Sequence, residues 1–160
     1  MNIEIVVADY SNPQHKQDIP YLLNQYAIDP MGGGTPLPQA VYDHLADSLA
    51  ERPYAFSVLA YVDGKPAGLA NCFEGFSTFA CKPLVNIHDM CVVEAYRGLG
   101  LSQRLLDKVQ QIATDKGCCK ITLEVLSNNT VAQSAYRRFG FAGYELDPSA
   151  GHAQFWQKKL

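Results

Sequence analysis

The order of strand-like and helix-like segments predicts an α/β (α+β) fold, with a mixed central sheet of about seven strands flanked by four helices. Short segments rich in β-branched and aromatic residues indicate the strands. Longer segments with apolar residues at helical spacing indicate the helices. The predicted order along the chain is β-α-α-β-β-β-α-β-α-β-β. Because strands and helices are mixed in this order, we expect helices on both faces of the sheet.

Length and composition predict one domain covering residues 1–160, because a chain of 160 residues with 48% hydrophobic residues can bury a sizeable core. The net charge is -3 and no basic run exceeds Lys158-Lys159, so we expect no nucleic-acid partner. No apolar run reaches membrane-spanning length, and the chain opens directly into strand-like residues 3–7 without a charged-then-apolar leader. We therefore expect a soluble, cytoplasmic protein with no membrane partner.

The cysteines favour neither a disulfide framework nor a metal site. Their number is five, which is odd, and no Cys-x-x-Cys pair is present. We expect them to be small apolar residues in a reducing compartment, and we expect no metal.

The first half of the chain predicts a strand at residues 3–8 and two helices. A helix-start signal at Ser11-Asn12-Pro13 precedes a helix over residues 14–28. A second helix runs from Val41 to about Glu51. The glycine-rich loop between them, residues 29–38, is either a plain connector or a loop that covers a substrate.

Three strands follow. The first runs from Tyr54 to Val62 and turns at Asp63-Gly64 into a return strand over Lys65–Phe76, whose internal glycines suggest bends or close backbone approach. The third covers Leu84–Val93 and is apolar except around His88-Asp89, as a buried central strand would be.

The last part of the chain predicts a helix over residues 101–116 and a strand over Ile121–Val125. A cap at Asn128-Asn129 then begins a helix that ends at Gly140. We expect Phe141–Leu146 and about His152–Lys159 to form a closing pair of strands.

A glycine-rich turn joins the third of these central strands to the following helix and reads Arg97-Gly98-Leu99-Gly100-Leu101-Ser102. A helix that begins at such a turn has unpaired backbone N–H groups and the positive end of its dipole there. Together with the Arg97 charge, these groups predict a site for a phosphate-bearing ligand.

Three glycine-rich phosphate loops are candidates for this turn. The P-loop pattern fails because no Lys follows Gly100 at the required place, and the dinucleotide pattern Gly-x-Gly-x-x-Gly fails at Gln103. The third pattern, Arg-x-x-Gly-x-Gly/Ala, fits apart from Ser102 at its last position. On these residues the chain resembles the GNAT N-acetyltransferases.

A second motif supports this resemblance. The family pattern Asn-x-x-Ala-x-x-x-Tyr followed by Gly-Phe is met by Asn129, Ala132, Tyr136 and Gly140-Phe141. The resemblance covers residues 54–146 well. Phe76-Ser77-Thr78-Phe79 is similar to the diamine and polyamine acetyltransferase branch.

The resemblance implies the GNAT fold and acetyl-CoA as co-substrate. It implies that the pantetheine arm runs along Met90, Cys91, Val92 and Val93 in a gap between splayed strands, and that a backbone N–H near Cys91 polarises the thioester carbonyl. The implied pyrophosphate-binding residues are Arg97, Gly98, Leu99, Gly100, Leu101 and Ser102, with a further contact from Gln103 or Arg104. Asn129 and Tyr136 complete the implied cofactor-binding set.

The same resemblance implies that Tyr136 is the general acid that protonates the departing thiolate. Candidates for the general base are His88 and Asp89, of which only one is expected to face the acceptor because neighbours in a strand face opposite sides. Glu74 and Glu124 are further candidates.

The implied activity is direct transfer of an acetyl group from acetyl-CoA to a primary amine of a small molecule or an amino terminus. A non-catalytic acyl-CoA sensor on the same fold and, more weakly, a nucleotide-binding protein are the alternatives, and a homodimer is expected from the family. Residues expected to line the acceptor pocket by position are Tyr26, Asp29, Phe73, Glu74 and Phe76.

Overall fold

The computed structural model describes residues 1–144 and 147–160. Its main elements are β1 (Ile3–Val7), α1 (Pro13–Ile28), α2 (Gln39–Ala50), β2 (Ala55–Val62), β3 (Lys65–Ser77), β4 (Lys82–Val92), α3 (Leu101–Asp115), β5 (Ile121–Leu123) and α4 (Thr130–Phe139). Short 3₁₀ turns lie at Pro30–Gly32, Glu94–Tyr96 and Pro148–Ala150. In the described part of the chain, no helix is long and apolar enough to cross a membrane.

The five strands form one sheet in the order β1-β2-β3-β4-β5. Neighbours are antiparallel except for β4 and β5, which are parallel and are joined through α3. The sheet is therefore mixed, as the element order predicted.

Apolar clusters cover both faces of this sheet, which confirms that helices lie on either side. One cluster joins β2, β3 and β4 to α3 through buried side chains such as Leu105 and Val109. The other joins the opposite face of β2 and β3 to α1 and α2 through side chains such as Ile19, Leu22 and Leu49.

Local signals in the sequence explain several element ends. The Asn12 side chain accepts hydrogen bonds from Gln14 N and His15 N and caps α1, and the Asn129 side chain caps α4 in the same way. Asp63 and Gly64 both have positive φ, as a tight hairpin turn between β2 and β3 requires.

The predicted closing strands are not present, so the prediction of about seven strands was wrong. Residues 141–144 and 152–160 contain no strand, and Glu145 and Leu146 lie outside the described residues. A strand needs a paired neighbour, and β5 is only three residues long, shorter than the predicted Ile121–Val125. The apolar residues that suggested a strand, such as Phe155 and Trp156, are exposed.

Candidate functional site

The strands β4 and β5, at one edge of the sheet, pair over only part of the length of β4. Within the described residues they pair only over Val85, Asn86 and Ile87 of β4, whereas β4 continues to Val92. Every second backbone N–H and C=O of an antiparallel strand points away from its partner. Beyond Ile87, β4 therefore presents a row of such groups with which an extended ligand can pair.

The side chains of residues 90–93, along this edge, pack against the apolar core. Met90 and Val92 pack towards α3, while Cys91 and Val93 pack towards α1. Residues 90–93, which were predicted to hold a pantetheine arm, can therefore offer a ligand their backbone.

The Cys91 thiol is unsuited to act as a nucleophile. Its Sγ donates to Leu22 O at 3.2 Å, and burial together with the nearby Asp89 charge raises the pKa of Cys91 to about 12. Because the thiolate is the reactive form, this environment favours direct transfer over an acylated cysteine.

The turn after β4 is shaped by two glycines in the left-handed region. Gly98 has φ 81° and Gly100 has φ 74°, and a β-carbon at either position would meet nothing within 4 Å. The turn is therefore open on the side where those side chains would stand. The Leu99 side chain packs against the cluster that contains Leu101 and anchors the turn.

The amino terminus of α3 has no side-chain cap. Gly100 occupies the N-cap position, and the first intrahelical hydrogen bond is from Arg104 N to Gly100 O. The N–H groups of Leu101, Ser102 and Gln103 are thus available as donors at the positive end of the helix dipole. This arrangement fits an anion such as a pyrophosphate.

Arg97 connects this turn to the loop that follows α1. Its Nη2 lies 3.4 Å from Asp29 Oδ2, and its Nε donates to Val92 O at 3.5 Å. Asp29 Oδ1 accepts from Met31 N at 2.9 Å and so shapes the loop. The arginine expected to bind phosphate therefore also bonds to a residue expected in the acceptor pocket.

Two residues predicted to contact the co-substrate also hold α4 in place. Gln103 Nε2 donates to Ala135 O at 3.0 Å, and Asn129 Oδ1 accepts from Ala132 N at 3.2 Å. Both contacts position the turn of α4 that carries Tyr136.

The Tyr136 phenol is half-buried between α4 and the sheet. Its ring packs edge-on against Phe141 with 5.9 Å between centroids. Burial, with smaller contributions from Tyr26 and Cys91, raises the pKa of Tyr136 to about 12. The phenol is therefore protonated at neutral pH.

Tyr26, near the end of α1, lies among the other titratable groups of the site. Burial and then the nearby charges of Asp89, Cys91 and Asp29 raise the pKa of Tyr26. With Tyr136, these side chains surround the place where β4 and β5 separate.

A bulge in β4 puts both candidate bases on the face of the sheet that carries α1. Asp89 lies opposite Asn71 and the next pair begins at Ile87, so His88 is an extra residue. The His88 ring meets the Phe73 ring edge-on at 5.4 Å, and Asp89 Oδ2 accepts from Asn71 Nδ2 at 3.1 Å. Because the bulge interrupts the alternation of side chains, that alternation does not decide which of the two residues faces the acceptor.

Two residues predicted for the acceptor pocket lie on the other face. Glu74 Oε2 is 3.4 Å from Lys116 Nζ at the end of α3, and the exposed Phe76 follows it by two residues. The alternation of β3 places both away from Phe73, which packs on the α1 side. Glu124 is exposed just beyond β5 and bonds to none of these groups.

Sequence reasoning missed the polar side chains behind Asp89. Ser57 and Asn71 are buried, and they connect Asp89 to Tyr10 by hydrogen bonds. The sequence does contain a signal for these side chains, because Ser57 and Asn71 each interrupt an otherwise apolar strand at a position that faces the core.

Relatives with assigned activities are acetyltransferases. The chain is 30% identical to thialysine N-epsilon-acetyltransferase of Sus scrofa over 105 residues, which are 59% of this chain and 60% of that protein. It is 26% identical to aminoglycoside N(6')-acetyltransferase type 1 of Salmonella typhimurium over 103 residues, 61% of this chain and 71% of that protein. The match thus spans about 60% of the length of the thialysine enzyme.

Solved structures share the fold. The aminoglycoside acetyltransferase meta-AAC0020 from an uncultured soil sample superposes with a TM-score of 0.79 at 16% identity, covering 99% of this chain and 97% of that chain. The aminoglycoside N-acetyltransferase AAC(6')-Iy, bound to a bisubstrate analogue of CoA and acetylneamine, gives a TM-score of 0.78 at 20% identity and covers 100% of both chains.

A family model described as the acetyltransferase (GNAT) family matches residues 20–141, which include the separated strands, the glycine turn and α4. The match covers most of the chain and includes both motifs that suggested the resemblance. The chain belongs to the GNAT acetyltransferase family.

Proposed function

We propose that this protein is an acetyl-CoA-dependent N-acetyltransferase that acts on a primary amine of a small, positively charged molecule. One observation carries the proposal. The unpaired edge of β4 leads directly into the uncapped amino terminus of α3, and the protonated Tyr136 phenol lies beside that edge. A linear molecule with an anion at one end and a thioester at the other fits this path.

The diphosphate of acetyl-CoA would be held by the N–H groups at the start of α3 and by the charges of Arg97 and Arg104. The pantetheine arm would pair with the free backbone groups of residues 90–93, and Asn129 would reach it from α4. One N–H of this edge would polarise the thioester carbonyl. Acetyl-CoA supplies the activated acetyl group, and the protein supplies position and proton transfer.

Catalysis would use Asp89 and Tyr136 as a base and an acid. The acceptor would arrive as an ammonium ion and must lose one proton before its nitrogen can bond to the acetyl carbon, and Asp89 would take that proton. The nitrogen gives a second proton to water as the C–S bond breaks, and Asp89 later returns its proton to water. The departing sulfur takes a proton from Tyr136, which then regains one from water.

A cationic small molecule is supported by the charges around Tyr26. Asp29 and Asp89 both lie close enough to Tyr26 to raise its pKa, which supports an acceptor site bordered by carboxylates. The names of two relatives, a thialysine acetyltransferase and an aminoglycoside acetyltransferase, give amine-bearing small molecules as their substrates.

Calorimetry and a thiol-release assay test the proposal together. We expect acetyl-CoA to bind, and we expect release of the CoA thiol with at least one acceptor from a panel of thialysine, sisomicin and a peptide with a free amino terminus. An absence of acetyl-CoA binding at millimolar concentration contradicts the proposal. Binding without thiol release for any amine would favour a non-catalytic acyl-CoA sensor.

We further propose that residues 1–160 fold as a single domain, that the protein is cytoplasmic, and that it forms a homodimer. A single cooperative unfolding transition, fractionation of cells and sedimentation equilibrium test these three statements in turn.

A further inference from the structure

A row of buried and half-buried polar side chains crosses the sheet on its α1 face and ends at Asp89. Ser57 on β2 lies opposite Asn71 on β3, which lies opposite Asp89 on β4. Ser57 Oγ donates to Asn71 Oδ1 at 2.6 Å, and Asn71 Nδ2 donates to Asp89 Oδ2 at 3.1 Å. The Tyr10 hydroxyl lies 2.9 Å from Ser57 Oγ. The four side chains form one continuous chain of hydrogen bonds.

The chemistry of the two ends fixes the direction of every hydrogen bond in this row. The Asp89 carboxylate can only accept, so Asn71 turns its NH₂ group towards it and its carbonyl oxygen towards Ser57. The single hydroxyl proton of Ser57 goes to Asn71, so the Tyr10 hydroxyl must donate to Ser57. All the donors therefore point towards Asp89, and aligned hydrogen bonds reinforce one another in a protein interior.

Folding alone does not require this row. Ser57 is 0% exposed and Asn71 is 2% exposed, and each lies two residues from an apolar core residue, Leu59 and Leu69 respectively. Apolar side chains of similar shape at both positions would leave no buried polar group to satisfy. A fully satisfied row of this kind does, however, hold the carboxylate at its end in one orientation.

The bulge at His88 is a second feature that aims Asp89. If His88 paired in regular register with β3, Asp89 would fall on the same face as Ile87, the α3 face, and would lose its place opposite Asn71. In residues 1–144 and 147–160, the only hydrogen bond to the Asp89 side chain is the one to Oδ2. The row therefore bonds to one oxygen of the Asp89 carboxylate, Oδ2, and the other oxygen, Oδ1, is available to contact an acceptor.

We propose that Ser57, Asn71 and Tyr10 are positioning residues that hold the Asp89 carboxylate in the orientation needed to take a proton from the acceptor amine. This inference rests on the proposed function, because it assigns the group that orients the base of that reaction. The three residues act through Asp89 and do not touch the substrate.

A double-mutant cycle tests the inference on turnover. We expect Ser57→Ala to lower kcat by about 10- to 100-fold, since small displacements of a reacting group cost this much, and to leave the Kd for acetyl-CoA unchanged. In an Asp89→Asn background the same substitution should cause no further loss. An unchanged kcat, or an equal loss in both backgrounds, overturns the positioning role.

A matched pair of variants separates this effect from the general loss of a buried hydroxyl. Tyr10→Phe removes the first donor of the row. Tyr61→Phe removes a hydroxyl that donates to Asp18 at 2.7 Å on the same face, outside the row. We expect kcat to fall only in Tyr10→Phe, and a fall of equal size in both variants contradicts the inference.

A spectroscopic measurement gives an answer that does not depend on turnover. In protein labelled with ¹³C at aspartate carboxyl groups, the Asp89 signal is assigned by its loss in Asp89→Asn. We expect Ser57→Ala to shift this signal and Tyr61→Phe to leave it unchanged; an unmoved signal in Ser57→Ala refutes the hydrogen-bond chain. A shifted signal in a protein with no transferase activity would overturn the proposed function, and the positioning role with it.

Discussion

At the scale of single residues, the surroundings of Tyr136 determine what its side chain can do. Its hydroxyl is removed from water and lies near Tyr26 and Cys91, so the charged phenolate is disfavoured. The phenol is thus present in its protonated form, which is the form that the proposed protonation of the departing thiolate requires.

Tyr136→Phe removes the hydroxyl and keeps the ring that packs against Phe141. We expect kcat to fall by about 10²- to 10⁴-fold, the usual contribution of a general acid, with the Kd for acetyl-CoA unchanged by calorimetry. A variant that retains the full kcat would show that water can protonate the sulfur and that Tyr136 is only a packing residue.

The pH profile gives a separate test of the same residue. Because the pKa of Tyr136 is raised to about 12, the acid stays protonated throughout the range in which an amine acceptor loses its proton. We expect kcat to rise with pH as the amine becomes neutral, and to show no decline up to about pH 10. A decline below that pH that disappears in Tyr136→Phe would contradict the assignment.

Single residues also show where sequence reasoning reaches its limit. Strand alternation correctly separates Phe73 from Glu74 once the face of one neighbour is known, but it does not say which face is the acceptor side. It fails at His88 and Asp89 because a bulge depends on the register with β3, which is a long-range property.

At the scale of elements, we expect acetyl-CoA binding to depend on the backbone conformation at the amino terminus of α3. Gly100→Val forces a β-branched residue into φ 74° at the helix start, so we expect the N–H groups to lose their arrangement and acetyl-CoA binding to be lost. Gly117 has φ 73° at the other end of α3, and Gly117→Val is the matched control. Equal loss of binding in both variants would indicate general damage to the helix.

The ion pair between Arg97 and Asp29 predicts a competition between the loop and the diphosphate. In Asp29→Asn the arginine no longer has a charged partner, so we expect acetyl-CoA to bind about two- to fivefold more tightly, as the small free energy of an exposed pair implies. Asp47→Asn removes the same charge from the Lys16 pair and serves as control. Calorimetry at low salt measures the difference, and weaker binding in Asp29→Asn refutes the competition.

Helices were easier to predict than strands. The ends of α1 and α4 follow from their own caps at Asn12 and Asn129, which are local signals. The two closing strands were predicted from composition alone, and a strand also requires a neighbour with which to pair. The position of β5 was predicted from its residues, but its early end at Leu123 was not, because the length of a strand also depends on the neighbour with which it pairs.

At the scale of the whole molecule, the site depends on both cores. The cluster around α3 fixes the glycine turn, while the cluster around α1 brings Tyr26 and Asp29 to the same place. The glycine motif identified the first half of this arrangement because its residues are contiguous in sequence. The second half consists of Tyr26 and Asp29, which lie more than sixty positions before the glycine turn in the sequence. No local sequence pattern predicts that they lie close to that turn.

Acetyl-CoA should stabilise the whole fold, because it binds the folded protein only. At a concentration 100 times its Kd, we expect about 2.7 kcal/mol of added stability and a rise in Tm of roughly 5–10 °C. Differential scanning calorimetry measures this rise, and Gly100→Val should not show it. An unchanged Tm for the native sequence would mean that acetyl-CoA does not bind the folded state.

The most direct test of acetyl transfer to an amine is mass spectrometry of the amine after incubation with the protein and acetyl-CoA. We expect an amine that carries one added acetyl group, in an amount equal to the CoA thiol released. We expect this amount to be strongly reduced in Tyr136→Phe and Asp89→Asn. Release of thiol without an acetylated amine, or no reaction with any amine in spite of acetyl-CoA binding, would contradict it.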